Sequence, residues 1–401
     1  MTLPRLVLRS LRHHALSTAV TAVSIALAGG LLMAVWVVQD QSQRTFTQFT
    51  GGFDAVLGAR SSKLQLVLNA IFHLEASPAN ISGKDFEDIR RHPGVAFAAP
   101  IAMGDNLRGY RIVGTLPEYF TEVEYAEGRR FQVRPPGRLF DPTLREAVVG
   151  SFAARQLGLR RGDKFKPFHG LTFEDSHEHD EEYVVVGILE PSNTPADRVL
   201  WIPVEGVQKM SGHAVEASTD LSAVLVKLRS PQMGFQLDQA INKKDTRLTF
   251  AWPIGATLED LFRKISWFDR VLALVAALVA VVAAASVLAS IYNSMNERRR
   301  QIAILRALGA RRRTVGAAVV LEAAATAALG AALGYAVYAA ILAVAAGLIR
   351  AHTGVVLDVL AWHPILAWAP LGLIALGALA GLVPAAKAYR TEVAEHLAPT
   401  Q

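Results

Sequence analysis

A chain of 401 residues with no cysteine has no disulfide, no thiolate metal site and no cysteine nucleophile, and its redox compartment is left open. Hydrophobic residues make up 52% of it and mean hydropathy is +0.28; they gather into a few long runs, which points to membrane spans flanking a water-soluble part. The net charge of +6 is no nucleic-acid signal: residues 39–268 hold 27 Lys+Arg against 29 Asp+Glu and the remainder holds 14 against 6, so the basicity lies beside the apolar runs, as the positive-inside rule produces.

Residues 1–14 carry Arg5, Arg9 and Arg12, and residues 16–38 follow as about 23 uncharged residues, enough to cross a bilayer. Trp36 near the far end, followed by Gln39 and Asp40, reads as an uncleaved anchor with a cytoplasmic N-terminus rather than a signal peptide. Residues 39–268 form one block large enough for its own core. Its start, 39–53, continues the first helix outward. Residues 63–74 (K-L-Q-L-V-L-N-A-I-F-H-L) read as a buried helix or strand, or else as a partner-facing surface. Ser82 caps a helix that Pro93-Gly94 stops, and 151–157 is a second short helix. Strands are expected at 95–102, 108–114, 147–149, 183–189, 199–202 and 223–228, an alternation that makes this block α+β.

Within the block, residues 169–182 (H-G-L-T-F-E-D-S-H-E-H-D-E-E) hold His169, His177 and His179 among carboxylates. Imidazoles and carboxylates are competent ligands for Zn²⁺ or a similar divalent ion, and an H-x-H pair in a strand puts both rings on one face. A solvated acidic hairpin is the bland alternative. Walker A, G-x-S-x-G, H-E-x-x-H and dinucleotide fingerprints are all missing, so an energy source is expected in another chain.

The last 130 or so residues return to the membrane, with apolar runs at 271–292, 316–349 and 365–386, the third of which is interrupted by Pro370 and Pro384. Four spans put both termini, the segment 296–315 and the tail 387–390 on one side, and the large block and the 350–364 loop on the other. Glu322 lies roughly 10 Å into the 316–349 run, where an ionisable group snorkels or pairs with an arginine of the preceding basic helix, or couples protons. Gly330 and Gly334 form a G-x-x-x-G suited to close helix packing.

Between two of these runs lies N-E-R-R-R-Q-I-A-I-L-R-A-L-G-A-R-R-R-T-V. Asn296 suits an N-cap and Gly309 a C′ position, and Ile302, Leu305 and Leu308 make one apolar stripe with Ile304 beside it. Arg298, Arg299, Arg306 and Arg311–Arg313 cover the rest. A short amphipathic helix of this kind lies on lipid or on a partner protein; a plain basic loop is the alternative.

This stretch, followed by L-E-A-A-A-T-A-A-L-G-A-A-L-G, resembles the signature of FtsX-like permeases of MacB-type ABC transporters. The order of one span, a large extracytoplasmic domain and three spans is also theirs. F-D-A-V-L-G-A-R-S-S-K-L-Q-L-V-L-N-A-I-F-H-L, G-D-N-L-R-G-Y-R-I-V-G-T and V-V-G-I-L-E-P-S-N-T-P-A-D-R-V-L-W-I-P are similar to segments of the MacB-like periplasmic core domain. Gln301 departs from the acidic residue of many relatives and leaves the apolar stripe intact. The resemblance implies a four-span membrane α+β protein divided at 1–38, 39–268 and 269–401, with a cytoplasmic coupling helix at 297–308. In that helix Glu297, Arg298, Arg299, Gln301, Ile302, Leu305, Arg306, Leu308 and Gly309 would meet a cytoplasmic ABC ATPase dimer that supplies ATP and Mg²⁺ chemistry. It further implies a multi-pass protein of a bacterial inner membrane, paired with a second permease copy, a homodimer in preference to a heterodimer. Its contacts would be membrane lipid and a periplasmic or outer-membrane partner. The chain itself would have no enzyme activity or cofactor and would drive export or extraction of a lipid, lipoprotein, peptide or small molecule. The alternatives are a regulator of a cell-wall hydrolase and a membrane-anchored metal-handling protein.

Overall fold

The computed structural model describes residues 3–171, 177–210, 219–297, 310–354, 356–358 and 361–390. The chain begins with α1 (Leu3–His13) and α2 (Ala15–Gln48). Next come β1 (Ala55–Ala59), α3 (Lys63–Ala70), α4 (Gly83–Arg90), β2 (Val95–Leu107), β3 (Tyr110–Thr115), α5 (Glu118–Thr121) and the hairpin β4 (Glu124–Ala126) with β5 (Arg129–Arg130). They are followed by β6 (Glu146–Val149), α6 (Ser151–Leu157), β7 (Lys164–Phe165), β8 (Phe168–His169) and β9 (Tyr183–Ile188). A 3₁₀ turn (Pro195–Arg198) leads to β10 (Leu200–Pro203), α7 (Val204–Gln208), β11 (Ala223–Leu228), α8 (Pro231–Lys244), β12 (Leu248–Ala251) and α9 (Ile254–Ile265). The long helices α10 (Trp267–Glu297), α11 (Arg312–Thr353) and α12 (Ile365–Arg390) complete it. Two compact units result: an α+β unit of residues 42–264 and 348–357, and a helical unit of residues 1–41, 265–347 and 358–401.

In the α+β unit ten strands form one mixed sheet, ordered β12-β1-β11-β2-β3-β10-β6-β9-β7, with β8 on β2. The pairs β3–β10 and β6–β9 are parallel and the others antiparallel. Strands buried on both faces need apolar residues at every position, not at alternate ones. β11 shows this: Ala223 and Leu225 enter one core, Val224 and Val226 the other. One core collects α4, α6, α7 and α8 through Phe86, Ile89, Ala153, Val204, Val207 and Leu237. The opposite core takes Leu66 and Val67 of α3, Tyr119 and Phe120 of α5, and Ile254 and Leu258 of α9. Residues 63–70 are thus a core helix, capped by Ser62, rather than a partner-facing surface. At the centre of the second core Trp201 stacks on Tyr119 at 5.0 Å and meets Phe120 edge-on at 5.6 Å.

The segment E-P-S-N-T-P-A-D is an architectural turn. The buried Asp197 carboxylate accepts hydrogen bonds from the Ser192 and Asn193 backbone N–H groups (2.9–3.1 Å) and from the Ser192 hydroxyl at 2.9 Å. A Cβ on Gly150 would meet the carbonyl oxygens of Ala196 and Asp197 at 2.4 Å, so glycine is required there. Arg198 donates to the carbonyl of His352, and the Arg350 guanidinium lies 5.8 Å from the Phe152 ring centre; both contacts tie 348–357 into the unit.

The helical unit contains four helices long and apolar enough to cross a membrane, at Ala15–Thr47, Arg270–Tyr292, Arg312–Thr353 and Ile365–Ala386. α2 continues past residue 38, as expected, but stops at Gln48 rather than 53, ahead of Gly51 and Gly52, whose positive φ departs from a helix. α12 runs continuously through Pro370 and Pro384, where an interruption was expected. In a membrane helix, neighbouring groups re-satisfy the backbone that a proline frees, so proline need not end the helix. Glycines set the closest approaches: a Cβ on Gly330 would meet Ile25 Cβ at 2.6 Å and the Ala22 carbonyl at 2.8 Å, and one on Gly30 would meet Val337 Cβ at 2.5 Å. Ala323 and Ala327 of α11 receive Gly381 and Gly377 of α12 in the same way. Small residues let backbones come close enough for dispersion to hold helices that lipid does not drive together.

Candidate functional site

Three groups of residues were singled out by the sequence. Of the coupling segment, Glu297 ends α10, and Arg298, Arg299, Gln301, Ile302, Leu305, Arg306, Leu308 and Gly309 lie outside the described residues. The chain resumes at Ala310, which packs against the apolar cluster of Ile25, Val287, Ile291, Val315 and Val319. The segment is therefore bracketed by the ends of two candidate spans.

In α11, the Glu322 carboxylate accepts a hydrogen bond from the Ser10 hydroxyl of α1, and its carbonyl accepts one from Thr326 at 2.9 Å. A serine of the N-terminal helix thus joins the partners weighed for this acid. Gly330 is tight against α2, whereas a Cβ on Gly334 would sit 3.4 Å or more from its nearest neighbours, the Ala26 carbonyl and the Gly30 nitrogen.

The histidine segment has the most defined chemistry. β8 pairs antiparallel with β2 so that His169 stands directly opposite Asp105, which puts both side chains on one face. Residues 177–179 are pinned beside β8 by the His169 N–H on the His177 carbonyl (2.8 Å) and the His179 N–H on the Pro167 carbonyl (2.9 Å). The Gly170 N–H adds a bond to the Gly104 carbonyl (2.8 Å). His179 Nε2 then lies 2.9 Å, and His169 Nδ1 3.6 Å, from the same oxygen of Asp105. Asp105 and His179 are buried and His169 is exposed. His177 is exposed and outside this grouping: its backbone, not its ring, contributes to the hairpin. Asp105, 64 positions before His169 in the chain, was missed, although a charge inside the otherwise apolar A-P-I-A-M-G-D was a signal. Burial raises the Tyr183 phenol well above its ordinary range, and the charges of Glu181 and Asp105 add to that.

A concavity of about 140 Å³ elsewhere in the same unit is lined by His73, Tyr110, Arg111 and Arg198 among others. Burial lowers Arg111 from the ordinary guanidinium range, and the neighbouring charge of Arg198 lowers it further. His73, edge-on to Trp201 at 5.5 Å, is pushed down to about 3 by burial first and by Arg111 second.

The model of the MacB-like periplasmic core domain matches residues 18–244, and that of the FtsX-like permease C-terminal region matches residues 273–393. The macrolide export ATP-binding/permease protein MacB of Brucella melitensis is 25% identical across 96% of this chain, which spans 58% of that relative's length. Among solved structures, the periplasmic region of MacB from Actinobacillus actinomycetemcomitans is similar at 11% identity and a TM-score of 0.36, over 54% of this chain and 94% of that one. The extracellular domain of the noncanonic ABC-type transporter YknZ from Gram-positive bacteria is similar at 14% identity and a TM-score of 0.31, over 49% and 99%. The first family model takes in the first span and most of the mixed sheet, and the second takes in the three later spans with the basic segment between them. With four candidate spans and an α+β unit inserted after the first, the chain is a multi-pass membrane protein and belongs to the MacB-like ABC-transporter permeases with an FtsX-like C-terminal domain.

Proposed function

We propose that this permease couples ATP hydrolysis in a separate cytoplasmic ATPase dimer to movement of its α+β unit, and so exports or extracts a lipid, lipoprotein, peptide or small molecule. The observation that carries the reading is the order of parts: the periplasmic-type domain follows the first span, and a basic amphipathic segment joins the second and third. Helix 297–308 seats Ile302, Leu305 and Leu308 in an apolar groove of the ATPase, with the arginines at the rim. The permease acts as a homodimer in a bacterial inner membrane with both termini cytoplasmic. The long helices suit transmission of force: α2 has 34 residues and α11 has 42, about 51 and 63 Å, against a hydrocarbon core of about 30 Å. Chemical energy reaches the outer domain as displacement, and the chain needs no nucleotide site of its own.

Co-purification from membranes with the cognate ATPase tests this. Leu305→Asp removes an apolar anchor worth about 1.5–3 kcal/mol and adds a charge that must be desolvated, so at least a tenfold loss of ATPase recovery is expected. Undiminished recovery and ATPase stimulation with Leu305→Asp would overturn the coupling assignment.

A further inference from the structure

The cluster of Asp105, His169 and His179 is not used by the transport reading. Asp105 has no solvent exposure. A carboxylate taken wholly out of water is stabilised by hydrogen bonds and by positive charge brought to it. Two imidazoles reach one oxygen of Asp105, His179 Nε2 at hydrogen-bond distance (2.9 Å) and His169 Nδ1 at 3.6 Å. A divalent ion between the three groups would take that buried oxygen and the two ring nitrogens as ligands.

The spacing suits this. The three ligand atoms lie within 4.8 Å of one another, and the two nitrogens stand 2.9 and 3.6 Å from the shared Asp105 oxygen. Metal–ligand bonds of about 2.0–2.2 Å in a tetrahedral site put ligand atoms roughly 3.3–3.6 Å apart, so small side-chain rotations open the required space. The ligands sit on a stiff base: Asp105 and His169 are cross-strand partners, and His179 is tied to Pro167 by its backbone.

We propose that Asp105, His169 and His179 bind a divalent transition-metal ion of the zinc class, with a coordination position left open. Two nitrogens and one oxygen match late first-row ions; calcium and magnesium prefer all-oxygen shells. His179 and Asp105 form the buried floor, and His169, with a side chain 54% exposed, is the side from which the ion enters and leaves. Exposed Glu178 and Asp180, which flank His179 in the chain, bias the local field toward cations. The ion bridges β2 to β8 and to His179, so its binding stiffens that part of the sheet. Zinc-class ions thereby become ligands of the α+β unit, whatever the permease moves.

The test uses the full-length protein in nanodiscs, stripped with chelator and titrated with Zn²⁺ alone by calorimetry and with Co²⁺ by absorption. Expected are one ion per chain, a Kd below about 1 μM, and a Co²⁺ d–d spectrum of low coordination number. Asp105→Asn should abolish binding. His169→Ala alters an exposed side chain, leaves the core intact and should weaken binding at least tenfold, with His177→Ala affected less. Absence of a saturable signal in the wild type, or wild-type affinity in His169→Ala, overturns the site. Neither readout depends on an ATPase, so failure here is separable from failure of the coupling assignment.

Discussion

His73 shows how one buried group sets the acid limit of the α+β unit. Its buried ring is neutral in the fold: burial, and after it the charge of Arg111, hold its pKa down at about 3. In the unfolded chain an ordinary imidazole takes up its proton near pH 6.5. Between those values the unfolded state binds a proton that the folded state does not, so stability falls as pH drops from about 6.5 and stops falling on this account below about 3. At pH 5 the loss is about 2 kcal/mol relative to pH 7.5. His73 has a φ of 55°, a region that asparagine also tolerates, so His73→Asn removes the titration without forcing the backbone. Thermal melts followed by tryptophan fluorescence should show the pH 7.5 to 5 decrease reduced in His73→Asn; an unchanged decrease refutes the assignment. Single residues of this kind were the least legible part of the sequence. His73 closes an apolar run and reads as unremarkable; its burial comes with an edge-on ring contact to Trp201, 128 positions away. Asp105 was equally hidden, because only the β2–β8 register brings it to His169.

Elements were more legible where periodicity and punctuation agreed. Strand 223–228 and helix 151–157 occur with the expected bounds, and the Ser82 cap forms a reciprocal box with Asp85. β1, β12 and α8 were not foreseen. β1 is A-V-L-G-A, too short and too small to stand out, and its glycine is there because a Cβ on Gly58 would meet Leu66 Cδ2 at 2.4 Å. Pairing partners far along the chain, not propensity, make it a strand. The G-x-x-x-G of α11 was visible as a motif, but which helix it faces was not. Gly330 against Ile25 and the Ala22 carbonyl gives a sharp test, since a backbone oxygen cannot swing aside as a side chain can. Gly330→Val should cost about 1–3 kcal/mol or more through overpacking and sharply lower the monodisperse fraction after detergent extraction. Gly347→Val is the control on the same helix, because a Cβ there meets nothing within 4 Å, and its yield should match the wild type. Equal losses in both would mean that valine harms the helix itself and not the α2–α11 contact.

For the whole molecule, the strongest constraint is parity. Two candidate spans separate Arg9 from Arg311 and one separates Arg9 from Arg91, so the proposed four-span topology requires Arg9 and Arg311 on one side of the membrane and Arg91 on the other. The charge distribution orients this arrangement: the excess of Lys and Arg belongs to the segments on the side of Arg9 and Arg311, while residues 39–268 are slightly acidic. In the orientation proposed above, cationic loops are retained in the cytoplasm and the α+β unit lies outside. The absence of cysteine makes this directly measurable, because every introduced thiol is unique. Arg9, Arg91 and Arg311 are all exposed, so replacing each by cysteine leaves packing undisturbed. A membrane-impermeant maleimide applied to spheroplasts should label Arg91→Cys at once and Arg9→Cys and Arg311→Cys only after permeabilisation. The mirror-image result would invert the protein and leave the basic segment facing away from any ATPase. Labelling of Arg9→Cys and Arg311→Cys from opposite sides would break the parity, and with it the reading of α2 and α10 as full spans. Parity and orientation are thus tested separately by the same three variants, and both must hold for a cytoplasmic motor to push on the segment between α10 and α11.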